Sequence, residues 1–290
     1  MQLSQQKRRW VLFAIWVFLS SAGFWKPAFD LFQLSLQDET YSYIPIIPLL
    51  VCWLFYYERK QNGDLAPFQF KFAALILVPA ALVTIFVLVL GICSPVNRLS
   101  LYTLSLVLIW VSGFVLFMGI EKARKSLFSL CFLLFSVPIP DFVLAKIVYA
   151  LQAGSAGITE VIFNMSGAPV LREGFIFRLP KVSIDIAPEC SGIRSSMALI
   201  ILALLLAHFA FRPLWKKFVF VFAGLGMMLI KNGIRIAALT LLANYVNPDF
   251  LYGNLHRKGG IVFFLIGLLL LIPVFWLLQK GESPSRPTSA

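Results

Sequence analysis

The sequence predicts an all-α polytopic membrane protein. It reads as about eight transmembrane helices, with a small extracytoplasmic helix and a β-hairpin inserted ahead of one unusual cysteine. Three observations predict this. Of 290 residues, 60% are hydrophobic and only 13% charged, where soluble domains run near 45–50% and 25%. Apolar runs recur at lengths close to the roughly 20 residues that cross a hydrocarbon core of about 30 Å. Basic residues cluster in every second loop, the pattern of cytoplasmic loops.

The spans read as 10–25, 44–57, 72–92, 101–120, 126–140, 193–211, 217–245 and 261–279. The first lacks an A-x-A cleavage site, so it is a span and not a signal peptide. The second and fifth are short, and Pro45 and Pro48 interrupt the second, which is expected to be tilted, broken or re-entrant. Residues 1–280 form a single integral membrane domain in this reading. The polar tail 281–290 is expected to be disordered and cytoplasmic.

Basic residues set the orientation. Lys7, Arg8 and Arg9 precede the first span; Arg59, Lys60 and Lys71 follow the second; Lys122, Arg124 and Lys125 follow the fourth. Arg212, Lys216 and Lys217 follow the sixth, and Lys280 and Arg286 the last. These loops belong in the cytoplasm with both termini. The other loops hold Asp30, Asp38, Glu39, Asp141, Glu160, Glu173, Asp185, Glu189 and Asp249. The net charge of +12 is therefore membrane topology, not a nucleic-acid surface.

The largest outside segment is about 141–190. Leu144, Ile147, Val148, Leu151, Ile158, Val161 and Ile162 recur at helical spacing, but Lys146, Gln152, Ser155 and Glu160 interrupt them. A helix lying on the outer leaflet fits better than a span. Phe175–Leu179 and Val182–Ile186 alternate apolar and polar around Pro180-Lys181, which predicts a strand pair.

Cys52, Cys93 and Cys131 lie in or at the ends of apolar runs and read as small hydrophobes. No Cys/His cluster suggests a metal, and no cofactor motif is present. Cys190 differs, in Ala187-Pro-Glu-Cys-Ser-Gly-Ile-Arg194. Pro188, Ser191 and Gly192 suit a helix start. A thiol at a helix N-terminus is drawn toward thiolate, and Glu189 beside it opposes this unless it turns away. On its own, the sulfur reads as a structural loop cysteine.

Its partners change that reading. His208 lies eighteen residues further along the same span, about 27 Å at 1.5 Å per residue, too far to serve Cys190. His256 sits in the outside loop before the last span. Lys231-Asn-Gly-Ile-Arg235 lies inside the seventh run, where a charge costs roughly 2.5–3.5 kcal/mol. Lys231 and Arg235 share a helix face at i, i+4. Snorkelling suits Arg235 tolerably, but Lys231 and Asn232 lie deeper, so a polar face aimed at a cleft fits better. Arg194, one turn into the sixth span, points into the same layer. Topology thus brings Cys190, Arg235 and His256 to one depth. Thiol, guanidinium and imidazole suit acyl transfer: nucleophile, stabiliser of developing negative charge, and proton carrier.

These pieces carry a family likeness. Pro188-Glu-Cys-Ser-Gly-Ile-Arg194, Asn232-Gly-Ile-Arg-Ile236 and His256 followed by Gly259-Gly260 resemble the exosortase/archaeosortase family of membrane-embedded cysteine enzymes. Leu133–Pro140, closing on paired prolines, and Gly167–Val170 are similar to further family segments, so the likeness covers about 130–265. Where the family carries a Tyr-Ser-His-like motif, this chain has Asp38-Glu-Thr-Tyr-Ser-Tyr43, and no chemistry is carried to Tyr43. The resemblance implies Cys190 as nucleophile, Arg235 as stabiliser of thiolate or oxyanion and His256 as general acid/base, with Arg194, Asn232 and Glu189 in support. It implies a bacterial inner membrane and substrates exported with a C-terminal motif, transmembrane helix and basic cluster. These would be cleaved at the periplasmic face, with the acyl group passed to an acceptor.

Two other classes remain at this point. An anion or lipid-precursor transporter would use Lys231, Arg235 and Arg194 between helices and have no need of the thiol. A non-catalytic factor for export or polysaccharide assembly would be indifferent to Cys190.

Overall fold

The computed structural model describes residues 2–58, 67–91, 94–251 and 260–280. Arg59, Lys60, Cys93, His256, Gly259 and the tail 281–290, all read above from the sequence, lie outside them. Among the described residues seven helices are long and apolar enough to cross a membrane, or eight if a bent pair counts as one span. With a three-stranded sheet beside them, the all-α polytopic class holds. The chain forms two compact units, residues 1–144 and 145–290.

The first unit is built around α5, Pro95–Met118. Pro95 occupies its first position, where the missing N–H costs nothing, and Ser94 caps it by accepting from the Asn97 amide at 3.4 Å. α1 (Gln2–Gly23) packs along it: Trp16 Nε1 donates to the Ile109 carbonyl at 2.9 Å. Gly113 makes this approach possible, because a Cβ there would sit 2.3 Å from the Trp16 ring. α4 (Phe70–Leu90) takes another side, where Ser112 Oγ donates to the Ala73 carbonyl at 2.9 Å. Phe114, fully buried, is ringed by Trp10, Phe13 and Phe55 at centroid separations of 6.1, 5.4 and 4.8 Å.

α1 ends in a bend of 80° into α2, Trp25–Gln37, an element the sequence reading leaves inside a loop. A 3-10 turn at Glu39–Tyr41, capped by Asp38, leads to α3, Ile46–Glu58. Pro45 precedes this helix and Pro48 sits in its first turn, where the backbone N–H groups lack intrahelical partners anyway. The prolines therefore start the helix and do not break it. After a short α6 (Ile120–Lys125), the short fifth run is carried by α7 (Leu127–Phe132), a 3-10 turn (Leu133–Ser136) and an extended stretch to Pro140. Ser129 Oγ donates to Glu58 at 2.7 Å at one end of α3, and Tyr41 Oη to the Ile139 carbonyl at 3.1 Å at the other. A run too short to span as a helix thus follows α3 end to end, because its last residues are extended at about 3.3 Å each. Tyr41, 1% exposed, and Asp38 make the Asp-Glu-Thr-Tyr-Ser-Tyr motif a structural corner.

α8, Asp141–Ser166, straddles the two units. It is long and apolar enough to cross a membrane, whereas the sequence lays it on the outer leaflet. Of the polar positions that argued against a span, Gln152 and Ser155 are internal, while Lys146 is exposed and Glu160 pairs with Arg172. Gln152 Nε2 donates to the Ile186 carbonyl at 2.7 Å, and Thr159 Oγ1 to the Gly233 carbonyl at 3.3 Å.

In the second unit α9 (Ile193–Ala210), α10 (Leu214–Tyr245) and α11 (Gly260–Gln279) pack through Leu199, Ala203, Phe211, Phe220, Met228 and Leu271. α9 meets α10 only as far as Lys231–Asn232. α10 runs on by about a dozen residues, roughly 20 Å. The sheet occupies that step. The predicted strand pair is present as β2 (Ile176–Arg178) and β3 (Ser183–Asp185), and β1 (Leu171–Glu173) adds a third antiparallel strand through a turn at Gly174. Its inner face packs Phe177 and Ile186 against Phe163 of α8 and Ile236 and Ala237 of α10. Lys181 N donates to Asn244 Oδ1 at 3.0 Å, tying the β2–β3 link to the far end of α10.

Phe177→Ala empties the centre of that cluster and should cost about 3–5 kcal/mol, read as a lowered melting temperature in detergent. Leu171→Ala, on a strand position 58% exposed, should stay within about 0.5 kcal/mol.

Candidate active site

Cys190 lies in a 3-10 turn, Pro188–Ser191, that closes directly before α9. Its N–H donates to the Ala187 carbonyl at 2.8 Å. The chain then reverses through Gly192, whose φ of 75° is left-handed, a conformation that costs an L side chain roughly 1–2 kcal/mol. A Cβ at Gly192 would also lie 3.0 Å from Asn232 Oδ1. The glycine is required twice, by backbone conformation and by a close neighbour.

That neighbour organises the turn. Asn232, 2% exposed on α10, donates from Nδ2 to the Cys190 carbonyl at 2.9 Å, the Ser191 carbonyl at 3.2 Å and Ser155 Oγ of α8 at 3.0 Å. One buried amide joins α8, the cysteine turn and α10. Lys231, 3% exposed, donates to Ser195 Oγ in the first turn of α9, and its stem lies along Gly267 of α11, where a Cβ would be 3.5 Å away. Buried charges in a membrane protein face the bundle interior and find partners there. Lys231 and Asn232 are therefore helix-to-helix fasteners rather than the lining of a cleft, which refines the sequence reading of this face.

The sulfur of Cys190 is half-buried against the sheet cluster of Phe163, Phe177 and Ile186. Burial, the largest influence, pushes the thiol up, so the helix-start expectation of a thiol drawn toward thiolate is not met; the Arg235 guanidinium opposes this, while the carboxylates of Glu189 and Asp185 add to it. Arg235 is half-buried one turn beyond Lys231, on the stretch of α10 that continues past α9. Arg235 thus lies near enough to Cys190 to act on it electrostatically. Glu189 is exposed, and no ion pair to it forms among the described residues. Arg194 is also exposed, on the first turn of α9. His208 occupies the last turn of α9, at the opposite end from Cys190. His256 lies outside the described residues.

Ser195 is not singled out from the sequence, and Gly192 is read there only as part of a helix start. Ser155 was visible only as a break in the apolar spacing of α8, and its meaning depends on which helix it meets. Two further atoms mark the site: Ser191 Oγ and Asn232 Oδ1 are buried without a hydrogen-bond partner among the described residues. Buried polar atoms usually find partners, and two unfilled ones flank the cysteine. No group of His, Cys, Asp and Glu suited to a metal occurs among the described residues.

A family model described as transmembrane exosortase matches residues 25–273. The chain belongs to the transmembrane exosortase family. The match takes in α2 through most of α11, and with them the cysteine turn and Asn232-x-x-Arg235. Exosortase membership supports a transpeptidase-like role in a membrane. Comparison with curated proteins and with solved structures gives no match.

Asn232→Ala leaves three oxygens without their donor, two of them backbone carbonyls, and each unsatisfied buried group costs about 1–3 kcal/mol. The melting temperature should fall, and amide exchange should rise selectively across Pro188–Ile193. Gly192→Ala should loosen the same turn. Asn232→Ala exchange that rises evenly over the second unit would contradict this local clamp.

Proposed function

We propose that this exosortase is a membrane-embedded cysteine protease/transpeptidase. It cleaves C-terminal sorting signals of exported proteins at the outer face of a bacterial inner membrane and transfers the acyl group to an acceptor. One observation carries the reading. A single helix, α10, fixes the backbone of the Cys190 turn through Asn232 and, one turn on, applies the positive charge of Arg235 to its sulfur. A structural cysteine needs neither arrangement.

The chemistry follows from the groups. The Cys190 thiolate attacks the scissile carbonyl carbon; a carbon–sulfur bond forms and the carbonyl oxygen becomes an oxyanion. Arg235 offsets negative charge on thiolate and oxyanion. His256 as imidazolium gives its proton to the leaving amine as the carbon–nitrogen bond breaks. The resulting thioester is attacked by the acceptor nucleophile, whose proton passes to His256 as the thiolate departs. Asn232 touches no reacting atom and is a positioning residue. Glu189 and Arg194, both exposed, flank the turn where a substrate strand would enter. The substrates expected from the family carry a short motif, a transmembrane helix and a basic cluster, and the two termini of this chain are assigned to the cytoplasm by its basic loops.

Transport of an anion is the weaker reading, because Lys231, the deepest cation, is already committed to Ser195.

The test is processing of a co-expressed exported protein ending in such a signal. Cys190→Ala should abolish it. Arg235→Ala should lower the rate about 10²–10³-fold, the usual loss when an oxyanion donor is removed. His256→Ala should lower it about 10²–10⁴-fold, and His208→Ala should leave it unchanged. Full processing by Cys190→Ala would sink the assignment.

A further inference from the structure

The first unit contains a cleft that this chemistry does not use. α2 carries two stripes at the same helical spacing. Trp25, Phe29, Phe32 and Leu36 are 68, 52, 51 and 71% exposed. Lys26, Asp30, Gln33 and Gln37, one position along, line a cavity of about 450 Å³ whose other wall is Arg98 and Tyr102 of α5. Both stripes are exposed, and the polar one runs along the cleft. The side chains of Lys26, Asp30 and Arg98 make no hydrogen bond or ion pair among the described residues. Three exposed charges of both signs thus converge on one cleft.

A second cavity of about 400 Å³ adjoins the first and shares Pro27 and Tyr102 with it. Its lining is apolar, with Leu31, Leu106, Val107 and Trp110. Ser136, 4% exposed, brings to its wall a hydroxyl without a hydrogen-bond partner among the described residues. The apolar lining continues past Ser21, Pro48 and Trp110 into a groove of about 870 Å³ along α1 and α3 that reaches Lys7.

A charged chamber stacked on an apolar one, continuous with an apolar groove, matches an amphiphile with a headgroup and chains. A soluble ion would fill the first chamber and leave the others empty. Charges of both signs narrow the headgroup: two cations suit a phosphate, and one carboxylate suits an ammonium. The outward aromatic stripe belongs at a bilayer interface, which puts the chamber where lipid headgroups lie. We propose that this cleft binds one phospholipid with a phosphoethanolamine headgroup. Lys26 and Arg98 take the phosphate, Asp30 takes the ammonium, and the acyl chains occupy the lower chamber and groove. The site stands on the first unit alone and does not depend on Cys190.

The experiment titrates delipidated full-length protein with phosphatidylethanolamine and phosphatidylglycerol, read by native mass spectrometry. One phosphatidylethanolamine should bind at least about tenfold more tightly than phosphatidylglycerol. Lys26→Ala with Arg98→Ala should weaken it by about tenfold or more, as loss of charge-assisted bonds does. Asp30→Asn, isosteric and suited to testing even if the double variant unfolds, should keep lipid binding but erase the preference for ethanolamine. Val107→Phe should expel the lipid with both cations intact. Glycerophosphoethanolamine, a headgroup without chains, should bind at least about tenfold more weakly. Equal binding of the two lipids by the parent, Asp30→Asn retaining the preference, or equal binding of the chainless headgroup would overturn the site.

Discussion

The second unit depends on one side-chain amide. Asn232 is buried in the middle of a 32-residue helix, where its two N–H groups serve three oxygens from two other segments. A buried amide with its donors unused is costly, so α10 is most stable where those oxygens are. The same requirement holds in reverse, because the Cys190 and Ser191 carbonyls sit in a tight turn with no ladder to join. Each side leaves the other only one good position. The turn is therefore located by hydrogen bonding, while the apolar contacts around it supply bulk attraction without direction.

Glycines make that bond reachable. Gly192 admits the left-handed reversal and leaves room for the amide beside it. Gly233, next to Asn232, lies against α8, where a Cβ would come 2.6 Å from Ile158. Between them α8, the cysteine turn and α10 approach close enough for one asparagine to bridge. Lys231 extends the same layer to α9 and α11 through its ammonium and stem. A charged group inside a membrane helix is expensive, and here it is offset by a hydroxyl acceptor and by packing of its methylenes.

The step between α9 and α10 gives the site its surroundings. Because α9 starts at the level of Asn232 and α10 continues, the cysteine turn sits in a recess roofed by the sheet and α8. Arg235 belongs to the continuing part of α10, where its charge reaches the sulfur. The sheet's fully buried Phe177 and Ile186 shield the thiol's apolar side; that burial disfavours the thiolate more than the Arg235 charge favours it.

The residue order alone determined the membrane class, most of the helix positions and the strand pair before the cysteine. These follow from run length, alternation and the cost of charge in hydrocarbon, all of which act locally along the chain. It could not determine that α8 hides Gln152, Ser155 and Thr159 inside, since they look the same whether they face water or another helix. Nor could it determine that 126–140 keeps pace with α3 by ending extended, that α2 forms with its charges along one cleft beside α5, or that Lys231 and Asn232 fasten helices instead of lining a cleft. Those outcomes depend on which surfaces meet. The hydrogen bond that seats the cysteine turn joins residues 190 and 232, and no local pattern encodes a partner forty-two positions away.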